Sequence, residues 1–286
     1  MNKTCCILYN PKAGNGTGET AARKLNGMFQ NVSPRFEDIT KVEDYYDFFQ
    51  TLSPQDQLIV AGGDGTLNRF VNETNDIREN RPIWYYPTGS GNDFWKDIGQ
   101  NPGDKPVNIT QYLTFLPKVT VRGETRIFLN GVGYGIDGYC CEIGDKMREV
   151  SKKAINYTAI AVKGLLFHYH PTEATVIADG KEQTYQKVWL APTMFGRFYG
   201  GGMMPTPAQQ RLSSHQSVSC MVMHDCDKLK TLAVFPSIFK GEHIRHTNMV
   251  SIIQGKQITV RFDRPSALQI DGETVLNVSE YTVHAA

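Results

Sequence analysis

Three short glycine-bearing stretches carry residue types that hold phosphate: NPKAGNG at 10–16, GGDGT at 62–66 and PTGSGN at 87–92. Glycine lets backbone N–H groups come close to an anion, and a helix that follows such a loop presents a positive N-terminus. The hydroxyls of Thr66, Thr88 and Ser90 add donors. Asp64, set between Gly63 and Gly65, cannot face a phosphate as a bare anion. A divalent cation resolves that conflict, because magnesium bridges carboxylates and phosphates. A single loop of this kind reads as a tight turn with Asp64 capping a helix. Three of them, after the first, third and fourth strand signals, point to a nucleotide. The common fingerprints are absent: GNGTGE lacks the G-x-G-x-x-G spacing, and no G-x-x-x-x-G-K-[ST] occurs.

Alternating strand and helix signals position these loops. KTCCILY, RFEDIT, QLIVAG and PIWYYP read as strands. ETAARKLNGMF, VEDYYDFFQTL and GTLNRFVNET read as helices, the last with Leu67, Phe70 and Val71 on one side, and another helix begins near Asp93. This β-loop-α alternation predicts a parallel sheet with helices on both faces and ligands at the strands' carboxyl ends. Beyond residue 118 the pattern changes. KVTVRGETRIFLNGVGYG reads as a hairpin, and EATVIADGKEQTYQKVWLAP alternates around the turn pair Asp179-Gly180. SVSCMVM, KQITVRF and ALQIDGE read as further strands, with helices at about 142–168 and 228–240. The predicted organisation is an α/β domain at 1–118 and a mainly antiparallel β domain at 119–286.

Composition narrows the function classes. The 286 residues are 40% hydrophobic and 21% charged, with a formal net charge of +1, so no global charge points to nucleic acid. The leading apolar run MNKTCCILYNP is too short for a signal peptide, and no uncharged apolar stretch of transmembrane length occurs. A soluble, cytoplasmic protein is expected. The six cysteines, including the adjacent pairs Cys5-Cys6 and Cys140-Cys141, suit buried reduced thiols. Cys220, His224 and Cys226 suggest zinc, but no fourth ligand is apparent, so no metal is expected there.

NPKAG at 10–14, GGDGT at 62–66 and PTGSGNDF at 87–94 stand in the order of the diacylglycerol kinase catalytic domain, and LNGVGYGID at 129–137 and IDGE at 270–273 continue the series. Over nearly its whole length the chain resembles bacterial lipid kinases of the diacylglycerol/sphingosine kinase superfamily. The resemblance implies an N-terminal ATP-binding domain of the NAD kinase/diacylglycerol kinase type and a C-terminal β-sandwich. It also implies an active site in the cleft between them, with the C-terminal tail returning toward it. ATP contacts are implied for Asn10, Pro11, Lys12, Ala13, Gly14, Thr40, Gly62, Gly63, Gly65, Thr66 and Ser90. Asp64 matches the aspartate at the phosphates and Mg2+, and Glu273 the proposed proton acceptor, with Asp271 beside it. Asn92 and Asp93 are expected on the substrate side. Without the resemblance, Asp271-Gly272-Glu273 is an ordinary hairpin turn.

Two departures stand out. Arg69 replaces a glutamate that many relatives carry, and RLSSHQS at 211–217 lacks the aspartates of a structural magnesium site. A secondary metal is therefore not expected there. Expected partners are ATP, a lipid or lipid-like alcohol and, peripherally, an anionic membrane on its inner face. Nucleic acid is not expected, and a homodimer is compatible with these features. Membrane contact is assigned to the basic run Lys146, Arg148, Lys152 and Lys153, with its apolar continuation, against the plainer reading of a core helix with a solvated basic end. RFYGGGMMPTP reads either as a mobile apolar lip or as a long loop; His168 and His170 are weak candidate bases. The leading reading is an ATP-dependent lipid kinase. The alternatives are a nucleotide-binding regulatory protein with lost catalysis and a NAD kinase-like enzyme acting on a soluble substrate. Retention of Asp64, Asp271 and Glu273 favours the enzyme.

Overall fold

A computed structural model describes residues 4–29, 34–78, 81–150 and 155–285. The chain divides into two compact units, Met1–Thr114 and Phe115–Ala286.

In the first unit the elements run β1 (Cys5–Tyr9), a single turn α1 (Ala13–Gly16), α2 (Gly18–Arg23), β2 (Pro34–Asp38), α3 (Tyr45–Gln50), β3 (Gln57–Gly62), α4 (Asp64–Thr74), β4 (Ile83–Pro87), α5 (Asp93–Asp97) and β5 (Val107–Asn108). The sheet order is β2-β1-β3-β4-β5. The first four strands are parallel, and β5 closes the edge antiparallel to β4. Strands β1 and β3 are buried almost throughout, as strands covered on both faces must be. Because β1, β3 and β4 point the same way, the loops after them emerge along one sheet edge.

Two helices are shorter than their apolar spacing predicts. After α2 the chain tightens into a 3-10 turn at Lys24–Gly27, where Asn26-Gly27 disfavours further helix, although Ala22 and Leu25 remain fully buried. Helix α3 begins only at Tyr45, because the Asp44 carboxylate caps it by accepting from the N–H groups of Tyr46 and Asp47. Helix α4 buries Leu67, Phe70 and Val71 on one face, as their spacing predicts.

The second unit continues with β6 (Lys118–Val121), β7 (Glu124–Ile127), β8 (Gly131–Gly135), α6 (Ile136–Val150), α7 (Tyr157–Lys163), a π-helical turn at Gly164–His168, β9 (Thr172–Ala178), β10 (Lys181–Val188), β11 (Leu190–Met194), β12 (Val218–Met223), α8 (Lys228–Val234), 3-10 turns at Phe235–Lys240 and Glu242–Arg245, β13 (Val250–Gly255), β14 (Gln257–Ile270) and β15 (Glu273–His284). All strand pairings are antiparallel, in the order β13-β12-β11-β8-β14-β15-β6-β7, with β9 on β14 and β10 on β9.

The Asp179-Gly180 turn has positive φ at both residues, the geometry that matches the twist of a two-residue hairpin. The sequence pattern of KVTVRGETRIFLNGVGYG predicts GVGYG as part of one hairpin with the preceding strands. That hairpin instead turns at Arg122-Gly123 and is complete with β7, and GVGYG forms β8, between β11 and β14. KQITVRF and ALQIDGE are one long strand, β14, whose register shifts between Arg261 and Ser266, around Pro265. Helix α6 begins at Ile136 rather than near 142, so Asp137 lies in its first turn.

Candidate functional site

In the first unit, side chains and backbone lock the three loops together. Asn10 donates from Nδ2 to Thr66 Oγ1 at 2.8 Å, accepts the Lys12 N–H at its Oδ1 at 2.9 Å, and donates its own N–H to Ala61 O. Pro11 and Ala13 are half-buried, and Lys12 is exposed. Gly14 adopts φ +58°, and a Cβ there would lie 2.6 Å from Thr88 O, so only glycine fits against the third loop. Gly89 packs on Gly63 so closely that an added Cβ would reach its Cα at 2.5 Å. Gly62 O accepts from Thr88 N at 2.8 Å and from Tyr85 Oη at 3.0 Å.

Asp64 opens α4, and its carboxylate reaches across to α5. Its Oδ2 accepts the Asp93 N–H at 2.9 Å and its Oδ1 the Phe94 N–H at 3.0 Å. The residue that begins one helix thus caps another. Two polar atoms of the third loop, Thr88 Oγ1 and Asn92 Oδ1, are buried with no hydrogen-bond partner among the described residues. Asn92 sits at φ +53° and donates from Nδ2 to Gly89 O. Asp93 is buried, while Gly65 and Ser90 are exposed. Thr40, at the end of β2, is exposed, and its N–H and hydroxyl both bond Asp38 Oδ1.

This donor set fits a phosphate chain with its cation. A carboxylate offers about four acceptor positions, so Asp64 can accept two N–H groups and still face a metal. No group of three or more His, Cys, Asp or Glu that could hold a metal occurs among the described residues. Magnesium at Asp64 would therefore take most of its oxygens from phosphates and water, as it commonly does in kinases.

In the second unit the tight turn Asp271-Gly272 separates β14 from β15. The Asp271 carboxylate accepts three backbone N–H groups, from Leu129 at 2.5 Å, Asn130 at 2.8 Å and Gly131 at 3.0 Å. Burial pushes its carboxyl up, while these bonds and the Arg211 charge pull it down. Arg211 reaches the same loop, donating to Leu129 O and, at 2.6 Å, to Asn130 Oδ1, with its guanidinium over Phe195. Segment 211–217, which lacks the family's aspartates, thus brings a fixed guanidinium to this turn. Glu273 is different: its side chain is 61% exposed and pairs with Arg126 at 3.0 Å.

Asp137 is a carboxylate that the sequence reading did not single out, although an acid following the apolar run GVGYG marks it. Burial pushes it up to about 7, against a hydrogen bond from the Gly138 N–H. Its Oδ2 would meet a Cβ on Gly133 at 2.6 Å. Tyr199, also buried, has its hydroxyl pushed well up by burial and by this carboxylate.

The remaining candidates take structural positions. Arg69 lies on the outer surface of α4 and pairs with Glu73 at 2.8 Å. His224 bonds Asp225 through Nδ1 at 2.7 Å and Ser251 through Nε2 at 2.9 Å, which occupies both ring nitrogens. The RFYGGGMMPTP loop closes on itself through reciprocal Tyr199–Met203 backbone bonds, and Met203 packs against the core. His168 and His170 are exposed. Lys146 pairs with Glu142 and Arg148 with Asp145, while Lys152 and Lys153 lie outside the described residues. Burial pushes the thiols of Cys6, Cys141 and Cys220 up to about 12, away from reactive thiolate chemistry.

Residues 4–116 match the diacylglycerol kinase catalytic domain, and residues 130–283 match the YegS C-terminal NAD kinase beta sandwich-like domain. A Staphylococcus epidermidis protein named "Putative lipid kinase" is 28% identical over 290 residues, covering 93% of this chain and 89% of its own. A Mycobacterium tuberculosis protein named "Diacylglycerol kinase" is 24% identical over 269 residues, covering 88% of this chain and 83% of its own. A solved structure of a diacylglycerol kinase from Bacillus anthracis superposes with a TM-score of 0.63 at 18% identity, covering 99% of this chain and 94% of that one. That likeness is one of fold alone.

Proposed function

The chain belongs to the diacylglycerol kinase-like family, and from that premise we propose that it is an ATP-dependent lipid kinase that phosphorylates a hydroxyl of a diacylglycerol-like or related lipid. Family membership supports a phosphotransferase. The observation that carries the reading is the Asn10–Thr66 bond together with the Asp64 reach to α5, which interlock the three glycine loops at one sheet edge.

Asn10, Pro11, Lys12, Ala13, Gly14, Thr40, Gly62, Gly63, Gly65, Thr66 and Ser90 would bind ATP, with backbone N–H groups and hydroxyls facing its phosphates. The unpartnered oxygens of Thr88 and Asn92 support a polar ligand at this loop. Magnesium, when bound, would neutralise phosphate charge beside Asp64. Asn92 and Asp93 would lie on the acceptor's side of the loop. Positioning and electrostatics carry most of phosphoryl transfer, which suits a preformed cradle.

Glu273 would take the acceptor's proton. Its exposure leaves it free of any core packing role, and Arg126 pairs with it at 3.0 Å. Asp271, spent on three N–H groups, would hold the turn that presents Glu273, and Arg211 would brace the same loop from its other polar groups. Arg69 gives no support to lost catalysis, since its charge is engaged by Glu73 on the helix surface.

The test is to incubate the purified protein with γ-labelled ATP, Mg2+ and a bacterial lipid extract, then identify the labelled product. A labelled phospholipid formed by wild type and absent with Asp64→Asn supports the proposal. Label transferred only to a soluble polyol or to NAD would replace it with the soluble-substrate reading. ATP binding without any transfer would favour the regulatory one.

A further inference from the structure

We infer that the π-helical turn at Gly164–His168 and the start of α8 form a docking surface for an anionic lipid bilayer. This rests on the lipid-kinase reading for its purpose but on separate residues for its evidence.

The inner face of this region is packed: Ile160, Ala161, Leu165, Val234 and Phe235 belong to one buried cluster, with Leu232 against it. The outer face carries large apolar side chains in water. Phe167 is 67% exposed, Leu229 76% and Val162 39%. These come from segments far apart in sequence, joined by a hydrogen bond from Lys228 Nζ to Leu166 O at 2.7 Å. Because Lys228 precedes Leu229 and Leu166 precedes Phe167, that bond brings the two more exposed of these three apolar groups into one neighbourhood. A π-turn inside a helix is uncommon and frequently marks function. Here it ends α7 and turns Phe167 outward while Gly164 and Leu165 stay buried.

Charge selects the occupant. Lys163 and Lys230 are exposed beside the apolar groups, with His168 and His170 close in sequence to Phe167. Residues 155–170 contain no acid. The nearby acids are turned elsewhere: Asp227 caps α8 through the Lys230 N–H at 2.8 Å, and Asp225 binds His224. An exposed apolar tip with exposed lysines next to its apolar residues in sequence fits an anionic interface, where acyl chains take the apolar groups and headgroups the lysines. A neutral protein partner would leave the cations unmatched. The basic run at 146–153 fits less well, because Lys146 and Arg148 are already paired on α6.

The experiment is co-sedimentation of the full chain with vesicles of phosphatidylcholine alone or mixed with phosphatidylglycerol. Wild type is expected to bind the mixed vesicles and to leave them as salt rises. Phe167→Ser with Leu229→Ser should weaken partitioning at least tenfold. Lys163→Gln with Lys230→Gln, both at exposed groups that do not threaten folding, should weaken it about 25-fold, since each basic residue contributes about fivefold at such a surface. Ile252→Ser, at an exposed apolar residue on β13, should change nothing. Phosphorylation of a short-chain, water-soluble diacylglycerol should be the same in all variants, so failure of the kinase reading shows as no product from any protein, whatever the vesicle result. Wild type that ignores mixed vesicles, binds neutral ones equally well, or binds no better than the lysine variant would overturn the inference.

Discussion

Asp64 and Phe94 lie thirty residues apart and are joined directly: the Asp64 Oδ1 accepts the Phe94 N–H at 3.0 Å, while Oδ2 takes Asp93. One carboxylate thus begins α4 and caps α5, at the loops where phosphates are proposed to bind. Stability and chemistry meet at the same atoms, and substitutions can separate them.

Asp64→Asn keeps one acceptor oxygen and loses the other, leaving one N–H at α5 poorly partnered. The expected stability loss is about 1–3 kcal/mol, the cost of one unsatisfied donor. Turnover should fall far more, by about 10²-fold or beyond, since a charge stabilising the phosphates is gone. Chemical denaturation and steady-state kinetics on the same protein check both. Near-normal turnover in a folded variant would remove Asp64 from the mechanism.

Gly14→Ala tests the cradle without touching a charge. The substitution places a methyl at φ +58° and within 2.6 Å of Thr88 O, so the first and third loops must part. ATP affinity measured by calorimetry should drop at least tenfold. Unchanged affinity would mean that loop contact plays no part in nucleotide binding.

The two acids of the IDGE turn should behave oppositely in unfolding. Asp271→Ala orphans three N–H groups at Leu129, Asn130 and Gly131, and about 2–4 kcal/mol of stability should go with them. Glu273→Gln should leave the denaturation midpoint where it was, because an exposed ion pair adds little. Equal losses from the two would refute the division of labour between them.

Much of this was legible in residue order. The buried runs CCILY and QLIVAG announced a parallel sheet, and the glycine loops marked the edge where nucleotide binding is proposed, because both signals are local. The second unit was less legible. GVGYG reads locally as a hairpin arm, yet β8 pairs with β11 and β14, strands that lie far along the chain. Arg211 was invisible as the partner of Leu129 and Asn130 for the same reason. The hydrogen bond that gathers Phe167 and Leu229 depends on one lysine reaching a backbone carbonyl, which no periodicity encodes.

Asp137 predicts a pH signature. Its carboxyl is raised from 3.8 to about 7 in the fold, first by burial. Between these values the folded protein binds more protons than the unfolded chain, so stability is fullest in acid and falls as pH rises toward 7. The drop attributable to this group is of the order of a few kcal/mol. Thermal unfolding from pH 4 to 8 should therefore show a steeper decline between pH 4 and 7 for wild type than for Asp137→Asn, with the curves parallel above that. Curves parallel over the whole range would mean that Asp137 does not hold its proton in the fold.

The most direct measurement is single-turnover phosphoryl transfer by Glu273→Gln at saturating ATP, alongside ATP binding by calorimetry. The substitution keeps the side chain's shape and removes only its basic oxygen. If Glu273 takes the acceptor's proton, binding should stay within about twofold of wild type while the transfer step slows by roughly 10²–10⁴-fold, with a smaller loss if proton removal comes late. Transfer at the wild-type rate, or an equal fall in ATP binding and transfer, would contradict the assignment of nucleotide to the first unit's loops and proton acceptance to Glu273.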